Sequence, residues 1–184
     1  MKEIRWHGRG GQGGFTAARL LGMAAAQCEN CYAQAFPSFG PERRGAPVLG
    51  FTRIDDAPIR DHSKIYECDY VVVLDASLLE AVDVREGLKS GGVLLVNSAC
   101  RLPDEYYSPD YQTFTVDATS DALEILGQAV TNTSMFGALV AASELVPLEA
   151  ALAAVDEVMA LDLREKNKKV LHATYMQLKK GLQA

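Results

Sequence analysis

The chain has 184 residues, of which 48% are hydrophobic and 23% charged, and its formal net charge is −6. This length is enough for one domain spanning residues 1–184 with a sizeable core, and the composition is that of an ordinary soluble globular protein. The acidic balance argues against a general nucleic-acid-binding protein, whose phosphate contacts need a basic surface. No apolar run reaches the roughly 20 residues of a membrane-spanning helix, and the amino terminus lacks the apolar segment of a signal peptide. We therefore expect a cytoplasmic protein without nucleic-acid or membrane partners.

Residues 3–28 predict a strand, a glycine loop and a helix. The strand covers residues 2–7, and the almost wholly apolar or small residues 13–27 predict a helix packed on at least two sides. The loop between them carries a formal G-x-G-x-x-G, whose glycines permit a tight turn and a close approach to the backbone. The following helix start offers N–H groups and a partial positive charge to an anion. The candidate binding residues of this glycine loop are Gly8, Arg9, Gly10, Gly11, Gln12 and Gly13.

The glycine loop alone allows several interpretations. A site for NAD needs an acidic residue about 20 positions after the glycines, and none is evident in residues 31–36. The loop could instead simply let the helix pack on the sheet. It could also face a partner subunit or bind a phosphate group other than that of NAD.

Residues 36–47 form a second unusual segment, rich in proline and glycine, which predicts an ordered but irregular loop. Rigid aromatic residues beside arginines are typical of an interface or of a ligand clamp. The alternative is a proline-rich connector whose aromatic residues belong to the core. The candidate interface or substrate-channel residues are Pro37, Ser38, Phe39, Glu42, Arg43 and Arg44.

The remaining sequence alternates strands with helices before it becomes wholly helical. Predicted strands cover residues 48–54, 70–74, 93–96 and 112–116, and predicted helices begin at Ser77 and cover residues 120–127, 133–145, 148–160 and 164–182. Strands buried on both faces and separated by helices indicate an α/β fold with three α/β/α layers. We expect a Rossmann-like, mostly parallel sheet, a helical C-terminal part, and ligands beyond the carboxyl ends of the strands.

A few other side chains allow both a functional and a structural interpretation. Cys28 and Cys31 form a C-x-x-C, a spacing that can lower a thiol pKa, but no second pair or nearby histidine completes a zinc site. Grouped thiolates for an iron–sulfur cluster are also missing. His7 could face a ligand or simply end its strand, and Asp75 could contact a ligand or hold a loop. We expect neither a catalytic residue nor a metal site on this chain.

The glycine loop and residues 32–48 together resemble the gamma subunit of 2-oxoacid:ferredoxin oxidoreductases. The string Pro-Ser-Phe-Gly-Pro-Glu-Arg-Arg-Gly-Ala-Pro-Val within that range is long and specific. The likeness continues through residues 51–54, 70–75 and 132–147, so it covers nearly the whole chain. Within the family, the sequence resembles the pyruvate and branched-chain oxoacid (ketoisovalerate) type more than the 2-oxoglutarate type.

This resemblance implies a complex that converts a 2-oxoacid and coenzyme A into acyl-CoA, carbon dioxide and reduced ferredoxin. It implies thiamine diphosphate, magnesium and iron–sulfur clusters in the complex, and alpha, beta and ferredoxin-like delta subunits as partners, with ferredoxin as electron acceptor. This chain lacks the thiamine-binding pattern and a cluster-binding cysteine set. We therefore expect it to bind no cofactor alone and to be inactive alone, because the cofactors carry the difficult chemistry. Its two loops would contribute to the inter-subunit substrate and CoA region. The alternative is a free-standing dinucleotide-binding module or reductase.

Overall fold

A six-stranded mixed sheet forms the centre of the computed structural model, which describes residues 1–38 and 45–183. The strands lie in the order β2-β3-β1-β4-β5-β6. They are β1 (Lys2–Arg9), β2 (Tyr32–Pro37), β3 (Pro47–Asp55), β4 (Cys68–Val73), β5 (Leu88–Asn97) and β6 (Gln112–Val116). β1, β4, β5 and β6 run parallel, whereas β3 is antiparallel to both β1 and β2. The predicted α/β class and mostly parallel sheet are confirmed.

The described residues form five α-helices, which pack on one face of the sheet. They are α1 (Gly14–Ala26), α2 (Ala118–Leu126), α3 (Asn132–Ser143), α4 (Leu148–Val158) and α5 (Arg164–Gln183). α3 is the central helix, and every residue from 132 to 141 is buried, because apolar or small side chains surround its axis. The buried side chains of α3 belong to one hydrophobic core, which also contains Ile4 and Trp6 of β1 and residues of the other four helices. In the described part of the chain, no helix has the length and apolarity required to cross a bilayer.

The opposite face of the sheet is covered by irregular segments and by the short 3₁₀ helices Ala76–Leu79 and Asp104–Tyr106. The helix predicted from Ser77 is thus a single 3₁₀ turn. Leu78 and Tyr106 cover the apolar side chains that β3, β4 and β5 place on this face. Charged side chains are buried here as well: Arg53 is 1% exposed and meets Glu3 at 3.0 Å. This second layer therefore combines apolar packing with buried charged contacts.

Strand β2 was not predicted, because its sequence Tyr-Ala-Gln-Ala-Phe-Pro gives no β-branched run. It is an edge strand, paired with β3 from Tyr32 to Pro37, and proline is tolerated at such an edge. The position of β3 between β1 and β2 was also not expected. It brings both ends of the predicted loop at residues 36–47 to the sheet edge where β1 ends.

Candidate functional site

The glycine loop joins the carboxyl end of β1 to the amino terminus of α1. The backbone N–H of Gln12 donates to the backbone carbonyl of Arg9 at 2.9 Å, and this bond closes a tight turn. Gly13 has a φ of +74°, and a Cβ there would lie 2.5 Å from Nδ2 of Asn132. Glycine is required at this position both by the left-handed backbone and by the close approach of α3.

The amino terminus of α1 retains its unpaired backbone donors. No side chain in the described part of the chain caps this end of α1, and the first turn of the helix contains no acidic residue. The partial positive charge of the helix therefore acts at the loop, as the sequence predicted.

The guanidinium of Arg9 is already engaged within the chain. Its Nε lies 3.3 Å from Oδ2 of Asp75, and its other nitrogens donate to Ser77 Oγ at 2.7 Å and to the Gly45 carbonyl at 3.1 Å. Partial burial opposes ionisation of Asp75, but hydrogen bonds from Ser77 and Gln12 and the Arg9 charge lower its pKa. Arg9 and Asp75 thus form an ion pair, and Arg9 does not present a free charge to a phosphate.

The side chain of Gln12 forms hydrogen bonds both within the glycine loop and outside it. Its Oε1 accepts a hydrogen bond from the Arg9 amide at 2.7 Å, and its Nε2 donates to Asp75 at 2.8 Å. This side chain therefore connects the glycine loop to the end of β4. Of the two interpretations of Asp75, the structure shows the loop-holding contacts.

The two regions singled out in the sequence are hydrogen-bonded to each other. The Gly10 amide donates to the Ala46 carbonyl at 2.9 Å, and the Gly45 amide donates to the Gly10 carbonyl at 3.1 Å. The second segment thus ends on the glycine loop, so the two form one continuous surface at this edge.

Only two of the six predicted residues of the second segment lie among the described residues. Pro37 ends β2 opposite Gly50, and the Ser38 amide donates to the Leu49 carbonyl at 2.9 Å. The other four, Phe39, Glu42, Arg43 and Arg44, lie outside the described residues. Their interface or clamp role stays a prediction.

A polar cleft of about 550 Å³ lies beside the glycine loop, beyond the carboxyl ends of β4, β5 and β6. This is the edge at which ligands are expected in parallel α/β sheets. Asn97 donates to the Leu74 carbonyl and to Thr119 Oγ1, each at 2.9 Å, and Thr131 Oγ1 donates to the same carbonyl at 3.2 Å. These side chains hold the strand ends together.

Among the described residues that line this cleft, the charged ones are Asp75 and Asp117. Asp117 caps α2, and hydrogen bonds from Ser120 lower its pKa, so both carboxylates are ionised at neutral pH. Because Arg9 and Asp75 neutralise each other, the uncompensated charge beside the cleft is that of Asp117, and this negative charge disfavours a phosphate there. The arrangement suits hydrogen-bond donors or a neighbouring protein surface.

The topology also bears on dinucleotide binding. β2 contains no acidic residue, and it pairs with β3 and not with β1. Two strand spacings put β2 about 10 Å from β1. An acidic residue at its end would therefore be displaced from the position that it occupies in a dinucleotide fold.

The cysteines and the first histidine lie apart from this site. Cys28 and Cys31 are free thiols at the end of α1, and burial, followed by the charge of Cys28, raises the pKa of Cys31, which is the opposite of an activated thiol. His7 points to the sheet face opposite the helices. Among the described residues, no group of three or more His, Cys, Asp or Glu could hold a metal ion.

Sequence reasoning missed several polar residues of the site because they are distant from the glycine loop along the chain. They are Asn97, Thr119, Thr131 and Asn132. Their positions offered a signal, because Asn97 ends the buried strand β5 and Thr131 directly precedes the buried helix α3, near the predicted ligand edge.

Residues 3–177 match the family model described as pyruvate ferredoxin/flavodoxin oxidoreductase. The chain is 51% identical over 178 residues to the pyruvate/ketoisovalerate oxidoreductases common subunit gamma of Thermococcus kodakarensis, covering 95% of this chain and 96% of the relative. It is 44% identical over 180 residues to the pyruvate synthase subunit PorC of Methanothermobacter thermautotrophicus, covering 98% and 97%.

Two crystal structures are similar over nearly their whole length. The pyruvate oxidoreductase subunit PORC of Thermotoga maritima is 36% identical, with a TM-score of 0.82 and 95% of each chain covered. The gamma subunit of a keto/oxoacid ferredoxin oxidoreductase of Geobacter sulfurreducens is 29% identical, with a TM-score of 0.79 and 100% of each chain covered.

Replacing Gly13 with alanine tests the contact between the glycine loop and α3. We expect Gly13→Ala to lower the free energy of unfolding by about 1–3 kcal/mol from backbone strain, plus a further loss from the clash with Asn132. Gly11→Ala is the matched control, because its φ is +95° but nothing lies within 4 Å of its added Cβ. Chemical denaturation gives both values. Equal losses in the two variants would show that the contact with α3 is not restrictive.

The pKa of Asp75 predicts a pH-dependent contribution to stability. Its folded pKa lies below its ordinary value of 3.8, so its stabilisation is present above that pH and is lost as the pH falls through the folded pKa. Asp75→Asn should therefore melt below the parent chain at neutral pH, and the gap should narrow below pH 3.8. Asp162→Asn, on an exposed residue before α5, is the control and should leave no such gap. A constant gap at all pH values would contradict the ion pair.

Proposed function

We propose, because the chain belongs to the pyruvate ferredoxin/flavodoxin oxidoreductase family, that it is the gamma subunit of a complex oxidising pyruvate or a branched-chain 2-oxoacid. The complex converts the 2-oxoacid and coenzyme A into acyl-CoA, carbon dioxide and reduced ferredoxin. Its other members are the alpha, beta and ferredoxin-like delta subunits, in the cytoplasm. The observation that carries this proposal is the 51% identity to a pyruvate/ketoisovalerate gamma subunit over 95% of the chain. The predicted gamma-type resemblance is thereby confirmed.

The glycine loop acts in this proposal as a contact surface for a neighbouring subunit. The ion pair of Arg9 with Asp75 leaves a surface of backbone groups with little net charge. The acidic cleft next to it supports the same role. Its carboxylate disfavours an anionic phosphate, whereas a protein surface can offer hydrogen-bond donors to it. The segment ending at Gly45 and Ala46 extends the contact.

The complex requires thiamine diphosphate with magnesium, iron–sulfur clusters and coenzyme A. The cysteines of this chain do not suit an iron–sulfur cluster, because Cys68 is buried on the sheet face opposite Cys28 and Cys31. Thiamine diphosphate supplies the stabilised carbanion and the clusters accept the electrons, and both are assigned to the other subunits. This chain shapes the site that those subunits form.

Coenzyme A would meet this chain through the second segment and not through the polar cleft. Arg43 and Arg44 remain the predicted phosphate contacts, since arginine binds phosphate through two parallel hydrogen bonds. The glycine loop itself would then border the CoA region without holding its phosphates.

The alternative of a free-standing dinucleotide module has weaker support. The glycine motif follows a strand and opens a helix, as that alternative requires. However, β3 separates β1 from β2, and no carboxylate ends β2.

Reconstitution tests the proposed function directly. The purified chain should show no turnover with pyruvate, coenzyme A and an electron acceptor, and neither should the other subunits without it. The assembled complex should turn over, because the cofactors and this chain contribute different parts of one site. Turnover by this chain alone, or undiminished turnover by the complex lacking it, would contradict the proposal.

Asp117→Asn tests whether CoA phosphate lies in the acidic cleft. Asparagine keeps the cap of α2 but removes one negative charge. If a phosphate lay about 8 Å away, removing the repulsion would favour CoA by about 1 kcal/mol, or about fivefold in KM. We expect the KM for CoA in the assembled complex to change by less than about twofold, since the charge acts on no phosphate there. A severalfold fall in KM would place the phosphate in the cleft.

A further inference from the structure

A second cavity of about 690 Å³ lies on the sheet face opposite the α-helices. Its floor is formed by Arg5 and His7 of β1 and Leu49 of β3, and its walls by residues 38, 47–48, 64–66, 82–83 and 86–87. This volume is within the range of small-molecule sites. The cavity is separate from the polar cleft, and Ser38 is the one residue of its described lining to which a role was assigned above.

His7 supplies an unused hydrogen-bond donor at the floor of this cavity. The residue is only 6% exposed, and its Nε2 accepts a hydrogen bond from Nε of Arg5 at 3.0 Å. Burial, followed by the Arg5 charge, lowers the pKa of His7 to about 3. The imidazole is therefore neutral with its proton on Nδ1, and among the described residues its side-chain hydrogen bond is the one that Nε2 accepts from Arg5.

Arg5 supplies a buried positive charge beside that donor. Its guanidinium donates to the backbone carbonyls of Tyr66, Val84 and Glu86, and no ion pair with a described carboxylate involves it. A buried cation whose partners are carbonyls and a neutral imidazole keeps its full charge, and such charges are usually paired.

The two described carboxylates that line the cavity, Asp83 and Glu86, partly oppose this charge but form no ion pair with Arg5. Asp83 is bound to Arg85 at 3.1 Å, and the Glu86 side chain is exposed at the rim. Lys64 adds a second positive charge at the wall. The apolar part of the lining is Val48, Leu49, Ile65 and Val82.

We propose that this cavity binds a small organic carboxylate with a short apolar tail, whose carboxylate accepts the hydrogen bond from Nδ1 of His7. The charge of Arg5 attracts the carboxylate, and the tail packs against Leu49 and Ile65. The proposal does not rest on the function of the complex, because all of these residues belong to this one chain.

Nuclear magnetic resonance of the imidazole nitrogens of the full chain tests the proposal. The chain contains three histidines, and His7→Phe assigns the signal of interest. Titration with isobutyrate to tens of millimolar should shift the His7 signal saturably, while His62 and His172, which lie outside the cavity, should not shift. Isobutyramide has nearly the same shape without the charge, and should bind at least about tenfold more weakly because Arg5 attracts only the anion.

A pair of matched variants separates binding in this cavity from binding elsewhere. Val82 and Val130 are both 37% exposed, but only Val82 lines the cavity. Val82→Trp should obstruct the entrance and weaken isobutyrate binding about tenfold, whereas Val130→Trp should leave it unchanged. Absence of a saturable His7 shift, equal binding of the amide, or equal affinity in the two tryptophan variants would each overturn the proposal.

Discussion

The ion pair between Arg9 and Asp75 determines what the glycine loop can do. It connects the end of β1 to the end of β4, and Gln12 bridges the same two points through a backbone amide and a carboxylate oxygen. Because these groups satisfy one another, the loop is connected to the end of β4 and has little net charge. The backbone donors at the start of α1 remain available, but the cationic side chain that would complete a phosphate site is already engaged.

This constraint connects the loop to the proposed role in an enzyme complex. A surface of exposed backbone groups next to an acidic cleft is more compatible with a protein partner than with a nucleotide. The position of β3 has the same consequence, because it brings Gly45 and Ala46 onto the glycine loop and separates β2 from β1. The placement of β3 between β1 and β2 therefore has two effects. It removes the geometry of a dinucleotide site, and it makes the glycine loop and residues 45–46 one continuous surface.

The amino-acid sequence predicted those strands and helices that are marked by a hydrophobic run or a periodic pattern within a short stretch of chain. The buried strands around Val71 and Leu94 and the five helices follow from hydrophobic runs and periodicity, and the family resemblance followed from one specific string. The edge strand β2 and its partner order could not be predicted, because pairing depends on contacts far apart along the chain. The engagement of Arg9 by Asp75 also joins residues on different strands, so the sequence showed the cation but not its partner.

The most direct measurement is hydrogen–deuterium exchange of this chain, free and in the assembled complex, before and after coenzyme A is added. If the glycine loop is a subunit contact, exchange at residues 9–13 and 45–46 should slow on assembly, with no further slowing when CoA is added. Unchanged exchange on assembly, or slowing that appears only with CoA, would contradict the account and identify the loop as part of a ligand site.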